Sequence, residues 1–402
     1  MRPRMVHAFA IVLAFLPAAL CRGEGAEHLL KAVLPPVGKF TYLERADLRR
    51  YESGTFMGLE HREVKGILLQ SASALSADVE GTFYVMQALD HGGAETAQEI
   101  AHTVPAAWSI QPDGAYTIEG DGPYPTLRGI PVVPMAEISV GDQWTGVGTR
   151  LVEPMHDGTF TRLKILARYR YAGEVTQGGR TARVITATYA VRYRSGEDPA
   201  GDVRLTSVSG THEVSIQLSV PSGALSFMRD QVDETYAFAD GTTVRLQGFI
   251  LTWFSSTTPL NRAETADTIA RKLEESATKD VVIEQKKEGV SVSLNNIHFV
   301  AEQAAFLPEE LPRLESIAGA LKLIAGRSFR VIGYTAAVGT RESQNDLSVR
   351  RARAVVDFLT SRGISARRFL YEGRGGTEPV APSDTEENRA KNRRVEIFIL
   401  ED

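Results

Sequence analysis

The sequence predicts a multidomain protein with a β-rich N-terminal region followed by a C-terminal α/β two-layer sandwich. Three observations lead to this fold class. The chain has 402 residues, which is longer than a single hydrophobic core ordinarily supports. Residues 27–256 carry short apolar alternations cut by Gly, Pro and Asp, as strands and turns do. Residues 263–402 alternate instead between helical and strand periodicity, the pattern of a sheet covered by helices.

The charge balance argues against a nucleic-acid partner. Lys and Arg total 45 against 50 Asp and Glu, which gives a net charge of -5. A chain with this balance has no global attraction to nucleic acid or to an anionic lipid surface. Membrane contact is therefore expected only through a lipid anchor.

Residues 1–26 are expected to be an export signal peptide, which places the protein in the periplasm or on the periplasmic face of the outer membrane. Arg2 and Arg4 precede an apolar run over residues 8–20, which is short for a membrane span. Cys21 is either the lipidated first residue of a lipoprotein or is lost with the signal, and both readings stay open. Because Cys21 is the sole cysteine, disulfides, thiolate metal sites and a cysteine nucleophile are excluded from the folded part.

The β-rich region is predicted to contain two modules. Its clearest element is a hairpin, in which apolar and charged residues alternate over residues 162–171 and a strand returns over 184–193 after a Gly-rich turn. The stretch 111–128 is rich in Gly and Pro and is the best internal break. It predicts a first module at residues 27–125 and a second at 126–256.

The remaining elements follow from periodicity and from capping residues. Residues 94–102 are helix-like, and residues 257–262 are expected to be a linker ahead of a domain at 263–402. Asp346 is expected to cap the helix that Gly363 ends. The other elements expected in this domain are a helix at 263–275, strands at 281–284 and 290–294, a helix from about 308 to 326, and strands at 329–334, 369–371 and 395–400.

An arginine-bearing helix carries the clearest binding chemistry. The strand at 329–334 leads into a loop at Thr335 and Ala336, and the next helix presents Arg350 and Arg351 in its second turn. An arginine there can bind a carboxylate through two parallel N–H donors, which lysine cannot reproduce. The alternative is a solvated basic face that pairs with acidic residues nearby: Arg350, Arg351 and Arg353 with Glu342 or Asp357.

Several C-terminal segments occur in the order and at the spacing of one known family. They are Gly333-Tyr334-Thr335, Leu347-Ser348-Val349-Arg350-Arg351-Ala352, Pro379-Val380 and the run from Asn388 to Ile397, together with the helix from Asn345 to Gly363. Over about residues 261–402 the chain resembles the OmpA-like peptidoglycan-associating domain. The resemblance implies a βαβαβ-type mixed sheet and a cell-envelope protein that contacts peptidoglycan.

The resemblance also implies which residues form a pocket. In the family, an aspartate after the Gly-x-Thr segment pairs with the ammonium of diaminopimelate in the stem peptide, and the arginine of Leu-Ser-x-x-Arg-Ala takes its carboxylate. Arg351 matches that arginine, whereas Ala336 replaces the aspartate. The other residues implied are the pocket-lining Phe299, Tyr334, Thr335, Asn345 and Arg350, and the family's structural residues Arg389, Asn392, Arg393 and Arg394.

Three positions depart from the family pattern and leave the ligand open. Ala336 lacks the aspartate charge, Val300 stands where the family usually has Asp or Asn, and Gly376 stands where it commonly has Glu. Without a partner for the ammonium, diaminopimelate binding is expected to be altered or lost. One interpretation is a stem peptide with another diamino acid, such as ornithine. The other is a domain that has given up wall binding and serves as a scaffold.

No motif predicts an enzyme, a cofactor or a metal site. The histidines show no H-x-H or H-E-x-x-H grouping, and there is no G-x-S-x-G elbow or P-loop. We expect a non-catalytic protein that links the outer membrane or periplasm to peptidoglycan. The alternatives are a scaffold that binds another envelope protein through the β-rich modules, favoured by a large exposed apolar patch, and a cell-wall-modifying hydrolase, favoured by a cleft where His and carboxylates converge.

Overall fold

The computed structural model describes residues 28–30, 38–72, 76–90, 97–118, 122–220, 222–286, 288–299 and 304–402. The predicted signal peptide, Cys21 and Val300 lie outside these residues. A β-rich front region and a C-terminal α/β region are both present, which confirms the predicted fold class at this level. Among the described residues, no helix combines the length and the apolar character needed to cross a membrane.

The front region consists of β-strands. Twelve of its strands form one antiparallel sheet in the order β7-β6-β4-β3-β2-β15-β14-β13-β12-β11-β10-β8. The strands are β1 (His28–Leu29), β2 (Gly38–Glu52), β3 (Thr55–Ala72), β4 (Ala77–Asp90), β5 (Gln98–Glu99), β6 (His102–Ile110), β7 (Tyr116–Ile118), β8 (Leu127–Arg128), β9 (Glu137–Ile138), β10 (Gln143–Val152), β11 (Thr161–Gln177), β12 (Arg180–Arg194), β13 (Leu205–Ser219), β14 (Leu225–Phe238) and β15 (Thr243–Ser256).

The boundary predicted after residue 125 does not divide this sheet. β2, from the first predicted module, pairs along its length with β15 from the second. One apolar core also joins the two, with Phe83 and Tyr171 among its members. The Gly- and Pro-rich stretch contains β7 and β8, which lie at opposite ends of the sheet. The alternation of apolar and polar residues along a strand shows which face is buried, but it does not show which strand is its neighbour. The sequence pattern therefore cannot reveal that the chain crosses between β7 and β8 from one edge of the sheet to the other.

Two local predictions in this region have different outcomes. The hairpin is present as β11 and β12, with Arg168 opposite Thr188 and an alternation of buried and exposed side chains on both strands. The helix predicted over residues 94–102 is wrong in its described part, because residues 97–102 contain β5 and the start of β6. Pairing with a distant strand satisfies the backbone of β5, and helical periodicity cannot anticipate such a partner.

The C-terminal region is a mixed sheet covered by helices. β18 and β19 are parallel and joined through α3, whereas β20 is antiparallel to both β17 and β18. The three longer helices, at residues 262–275, 311–322 and 341–361, pack on one face of the sheet through a shared apolar core. The elements are α1 (Arg262–Glu275), β16 (Val281–Lys286), β17 (Gly289–Leu294), α2 (Leu311–Lys322), β18 (Phe329–Gly333), α3 (Arg341–Ser361), β19 (Phe369–Gly373), α4 (Glu386–Asn392) and β20 (Val395–Leu400), with 3₁₀ turns at Pro308–Glu310 and Ala366–Arg368.

α3 begins earlier than predicted. Thr340 is its N-cap, and the Thr340 hydroxyl accepts a hydrogen bond from the Ser343 N–H at 3.2 Å. Asp346 therefore lies inside the helix, where it pairs with Arg350 four residues on. Both Thr and Asp are good N-cap residues, and the sequence offers both. Gly339, which adopts a positive φ of 86°, turns the chain just before Thr340 and sets the earlier start.

The second face of the C-terminal sheet is covered by the front region. Tyr84, Met86 and Ile100 of the front region pack against Ile332 and Phe398 of the C-terminal sheet. β5 adds to this sheet as an edge strand parallel to β19, so one strand of the front region completes the C-terminal sheet. The residues predicted as a linker thus join two regions that pack directly on each other.

Candidate functional site

The site is built where α3 lies against the ends of β18 and β19. A Cβ at Gly333 would come within 2.1 Å of the Ser348 carbonyl oxygen, and one at Gly373 within 2.2 Å of Ser348 Oγ. Only glycine allows this close approach. The Ser348 hydroxyl also accepts a hydrogen bond from the Gly375 N–H at 2.9 Å and donates one to the Asn345 carbonyl at 2.7 Å. Ser348, which sequence reasoning passed over, thereby holds α3 to the strand ends.

Arg351 follows on the next turn of α3 and is the central residue of the site. Only 7% of the residue is exposed, and its guanidinium carbon lies 4.7 Å from the centre of the Phe299 ring. Its Nε has no hydrogen-bond partner among the described residues. Burial lowers the pKa of Arg351 to about 10, and the nearby charges of Arg393 and Arg350 act in the same direction. Arg351 remains charged at neutral pH, and no described carboxylate balances that charge.

The neighbouring arginines are different. Arg350 is exposed and pairs with Asp346 at 2.9 Å, and Arg353 is exposed and pairs with Asp357 at 3.8 Å. The solvated basic face weighed in the sequence therefore describes Arg350 and Arg353 but not Arg351. Of the predicted site residues, the structure brings Arg351 and Phe299 together and leaves Arg350 on the outer surface.

The loop after β18 forms the other side of the site. The Thr335 N–H donates to the Gly375 carbonyl at 2.8 Å, and the Ala337 N–H donates to Ser383 Oγ at 3.3 Å. Thr335 and Ala336 are both buried, and Thr335 Oγ1 has no hydrogen-bond partner in the described part of the chain. The loop thus presents a methyl group and an unsatisfied hydroxyl, and at Ala336 it carries no charge.

Gly376 is coupled to the same loop. A Cβ at Gly376 would lie 2.8 Å from the Ala337 Cα and 2.7 Å from Gln344 Oε1. A glutamate there, as the family commonly has, would force the loop to move. Two of the departures noted in the sequence, Ala336 and Gly376, therefore belong to one local geometry in which the loops after β18 and β19 pack closely.

Tyr334 and Asn345 do not lie in the site as predicted. The Tyr334 ring packs on the opposite face of the sheet, beneath the Arg394 guanidinium at 3.6 Å, and its hydroxyl donates to Glu378 at 3.2 Å. Side chains alternate between sheet faces, so Tyr334 and Thr335 cannot both face α3. The Asn345 side chain is exposed, and the backbone carbonyl of Asn345 accepts the hydrogen bond from the Ser348 hydroxyl.

The family's structural residues lie on and beside α4. The buried Asn392 side chain accepts from the Val380 and Ala381 N–H groups at 2.8 and 3.0 Å. It also donates to Ser383 Oγ at 3.1 Å, which is the atom that holds Ala337. The arginines here have carboxylate partners: Arg389 and Arg393 pair with Glu386 at 3.0 and 2.6 Å, and Arg394 pairs with Glu396 at 2.8 Å.

A second charged cluster lies inside the front sheet, and sequence reasoning missed it. His212 Nδ1 is 2.8 Å from Asp230 and its Nε2 is 3.0 Å from Glu234, which also pairs with Arg150 at 3.0 Å. Although burial acts to lower the pKa of His212, the two carboxylates outweigh it and raise the pKa to about 9. Only the alternation of strands β10, β13 and β14 could have indicated that these polar residues point inward.

This cluster does not have the features of a catalytic centre. Both ring nitrogens of His212 are engaged by carboxylates, and the residue is 1% exposed. The adjoining cavity, which Trp108 and Arg150 help to line, has a volume of only about 20 Å³. Among the described residues there is no group of three or more His, Cys, Asp or Glu that could hold a metal ion.

Comparison with known proteins places the C-terminal site in a family context. Residues 298–393 match the model of the OmpA family. The chain is 36% identical over 102 residues to outer membrane protein A of Bordetella avium, and 35% identical over 103 residues to the peptidoglycan-binding protein ArfA of Mycobacterium tuberculosis. It is also 35% identical over 155 residues to motility protein B of Helicobacter pylori.

These relatives match only part of this chain and only part of themselves. The matched segments make up 25%, 26% and 37% of this chain, and 53%, 32% and 58% of the respective relatives. The chain thus spans between about a third and just over half of the curated relatives' lengths.

Proposed function

Residues 298–393 belong to the OmpA family, and from that premise we propose that this chain is a non-catalytic cell-envelope protein that associates with peptidoglycan through its C-terminal domain. The chain is exported and works in the periplasm or at the periplasmic face of the outer membrane. Its front sheet packs on the C-terminal sheet and reaches away from the wall. The protein thereby links one envelope layer to another.

The observation that carries this proposal is the charge of Arg351. A largely buried guanidinium without a carboxylate is costly, because burial removes part of its water and no described anion replaces that water. Such a cost is tolerated where a ligand supplies the missing anion. A carboxylate of the peptidoglycan stem peptide fits this requirement, since arginine binds carboxylates through two parallel hydrogen bonds. Arg351 therefore takes the carboxylate, and Phe299, Thr335 and Ala336 form the surrounding walls.

The relatives support the same assignment. One relative is named the peptidoglycan-binding protein ArfA and another outer membrane protein A, and the OmpA family model matches residues 298–393. The matched region includes Thr335, Ala336 and Arg351. The departure at Ala336 alters which stem peptide is recognised, because the position that would face an ammonium carries only a methyl group.

Binding to another envelope protein through the front sheet is a second candidate. Phe56, Met57 and Leu59, at the tip of the hairpin formed by β2 and β3, are each more than half exposed. Grouped apolar side chains at a hairpin tip are a feature of interaction sites. The hydrolase alternative is disfavoured, because the converging His212, Asp230 and Glu234 are enclosed in the front sheet with no access for a wall polymer.

The test is co-sedimentation of the full chain with purified sacculi of the diaminopimelate and ornithine types. Arg351→Ala is compared with Arg350→Ala, which removes an exposed guanidinium from the adjacent position of the same helix. A hydrogen bond to a charged group contributes about 1.5–3 kcal/mol, so Arg351→Ala should weaken wall binding by roughly tenfold or more. Arg350→Ala should bind as the parent does.

Two results would contradict the proposal. If the parent chain fails to sediment with either wall, the domain has no wall ligand and the search moves to a protein partner. If Arg350→Ala and Arg351→Ala lose binding equally, the attraction comes from the general basic surface of α3 and not from the buried guanidinium.

A further inference from the structure

The loop after β18, which carries Thr335 and Ala336, has no charged side chain at these two positions beside Arg351. This absence of charge affects which form of the stem peptide the pocket accepts. Resting on the proposed function, we infer that the pocket selects a carboxylate whose neighbouring amine is acylated and therefore uncharged, in preference to the free zwitterionic diamino acid. In peptidoglycan this is the state of a diamino acid whose side-chain amine has been consumed in a peptide cross-link. The protein would then recognise cross-linked wall over free stem peptides.

The charge of Arg351 favours a ligand without a free ammonium. Arg351 is charged and buried, and no described carboxylate pairs with it. Two carboxylates on α3 and α4 are already paired: Asp346 with Arg350, and Glu386 with Arg389 and Arg393. Neither of these two carboxylates is free to balance an incoming ammonium. A free amine, protonated at neutral pH, would therefore meet repulsion, whereas an amide would not.

The hydroxyl of Thr335 favours an amide over an ammonium. An ammonium withdrawn from water needs an anion or several strong acceptors, whereas an amide N–H needs one acceptor. Thr335 Oγ1 has no partner among the described residues, so a single hydrogen bond would satisfy it. The end of β18 contacts the 348–352 turn of α3, which places Thr335 and Arg351 at the same end of the domain. One unsatisfied donor and one unsatisfied hydroxyl together match a carboxylate and an amide.

Close packing at Gly376 keeps an acidic side chain out of this position. Gly376 packs against the Ala337 backbone, where its Cβ would lie within 2.8 Å of the Cα. A side chain cannot be accommodated at this position without moving the loop that carries Ala336. Packing therefore explains the missing acidic side chain at Gly376, beside the loop in which Ala336 also carries none.

The unpaired guanidinium of Arg351 also disfavours the ornithine interpretation of Ala336. Ornithine brings an ammonium and no distal carboxylate, which is the reverse of what a pocket with an unpaired guanidinium requires. Sacculi of the ornithine type should consequently be the poorer ligand among uncross-linked stems.

The experiment uses two synthetic stem peptides that differ only in the substituent on one nitrogen. Each contains diaminopimelate with its distal carboxylate, in one with a free side-chain amine and in the other with that amine acetylated. Titration calorimetry with the full chain measures both affinities. The parent should bind the acetylated peptide at least fivefold more tightly, and Arg351→Ala should lose both while Arg350→Ala keeps the preference. Ala336→Asp should reverse the preference towards the free amine.

The outcomes separate this inference from the proposed function. Equal binding of the two peptides, or tighter binding of the free amine by the parent, would overturn the inference and leave wall association standing. Binding of neither peptide, together with no sedimentation on sacculi, would overturn both. The comparison of peptides on the parent chain needs no variant, so misfolding of Ala336→Asp cannot obscure the result.

Discussion

Two buried arginines, one in each region of the molecule, show how the same side chain serves two purposes. Arg150 in the front sheet is 5% exposed and Arg351 in the C-terminal domain is 7% exposed. Arg150 has Glu234 at 3.0 Å, whereas Arg351 has only an aromatic ring beside it among the described residues. Burial acts to lower the pKa of both, but Glu234 and two tyrosines raise that of Arg150 well above its ordinary value. Burial alone therefore does not identify a binding residue, and the balance of charge does.

The front cluster is internally complete. Glu234 accepts from Arg150, from His212 and from the Tyr236 hydroxyl, and Asp230 accepts from His212 and from the Tyr189 hydroxyl at 2.9 Å. Two cations and two carboxylates cancel. A buried network of this kind tends to specify one packing arrangement and leaves nothing for a ligand to add. The cluster shares with catalytic sites only the types of residue that it contains.

The largest expected effect comes from breaking the balance in the front sheet. Glu234→Gln removes the carboxylate that Arg150 and His212 share and leaves two buried cations with one anion. Loss of one partner of a buried pair costs about 3–5 kcal/mol, so the free energy of unfolding measured in urea should fall by that amount. Asp233→Asn is the matched control, since Asp233 is the adjacent residue but pairs with Arg245 on the outer face.

The control should cost less than about 1 kcal/mol, because exposed pairs contribute little. Equal losses of unfolding free energy for Glu234→Gln and Asp233→Asn would mean that the buried network stabilises the fold no more than an exposed ion pair does. The contrast drawn between Arg150 and Arg351 would then be wrong.

The second prediction uses pH to unbalance the same cluster. The pKa of His212 is about 9 in the folded protein against 6.5 for an ordinary histidine. A raised folded pKa gives stability that is fully present below pH 6.5 and is lost as the pH rises through 9. The difference corresponds to about 3 kcal/mol, so the urea midpoint should fall between pH 6.5 and 9.5. His212→Gln should flatten this dependence, and a parent profile that is already flat over this range would contradict it.

The sequence predicted the C-terminal domain far better than the front sheet, for physical reasons. Contacts between α3 and the strand ends involve residues of the motifs that carry the family resemblance, so that resemblance could place Gly333 and Arg351, although it gave Ser348 no role. The front sheet depends on long-range pairing, and nothing in β2 indicates that β15 is its neighbour. The inward direction of Arg150 and His212 likewise depends on register, which one strand's pattern cannot provide alone.

Within the site, prediction failed where backbone direction matters. Tyr334 belongs to the same motif as Thr335, yet its ring lies on the other face of the sheet under Arg394. Spacing places a residue near a site, but the alternation of the strand decides whether its side chain enters it. The resemblance matched Arg351 to the family's carboxylate-binding arginine, but the burial of Arg351 and the exposure of Arg350 were not visible in sequence, because both arginines lie in one basic run.

The smallest expected effect comes from replacing Arg351, the buried arginine without a carboxylate partner. Arg351→Met replaces an unbalanced buried charge by an apolar side chain of similar length beside Phe299. Because the parent carries the cost of that charge without a partner, the variant should be equally stable or more stable by about 1 kcal/mol, while wall binding is lost. Arg394→Met, in the same domain but paired with Glu396, should instead be destabilised. Thermal unfolding of both variants and of the parent measures these differences in stability. A clear loss of stability in Arg351→Met would show that the guanidinium stabilises the fold. Its unpaired charge could then no longer be ascribed to a ligand.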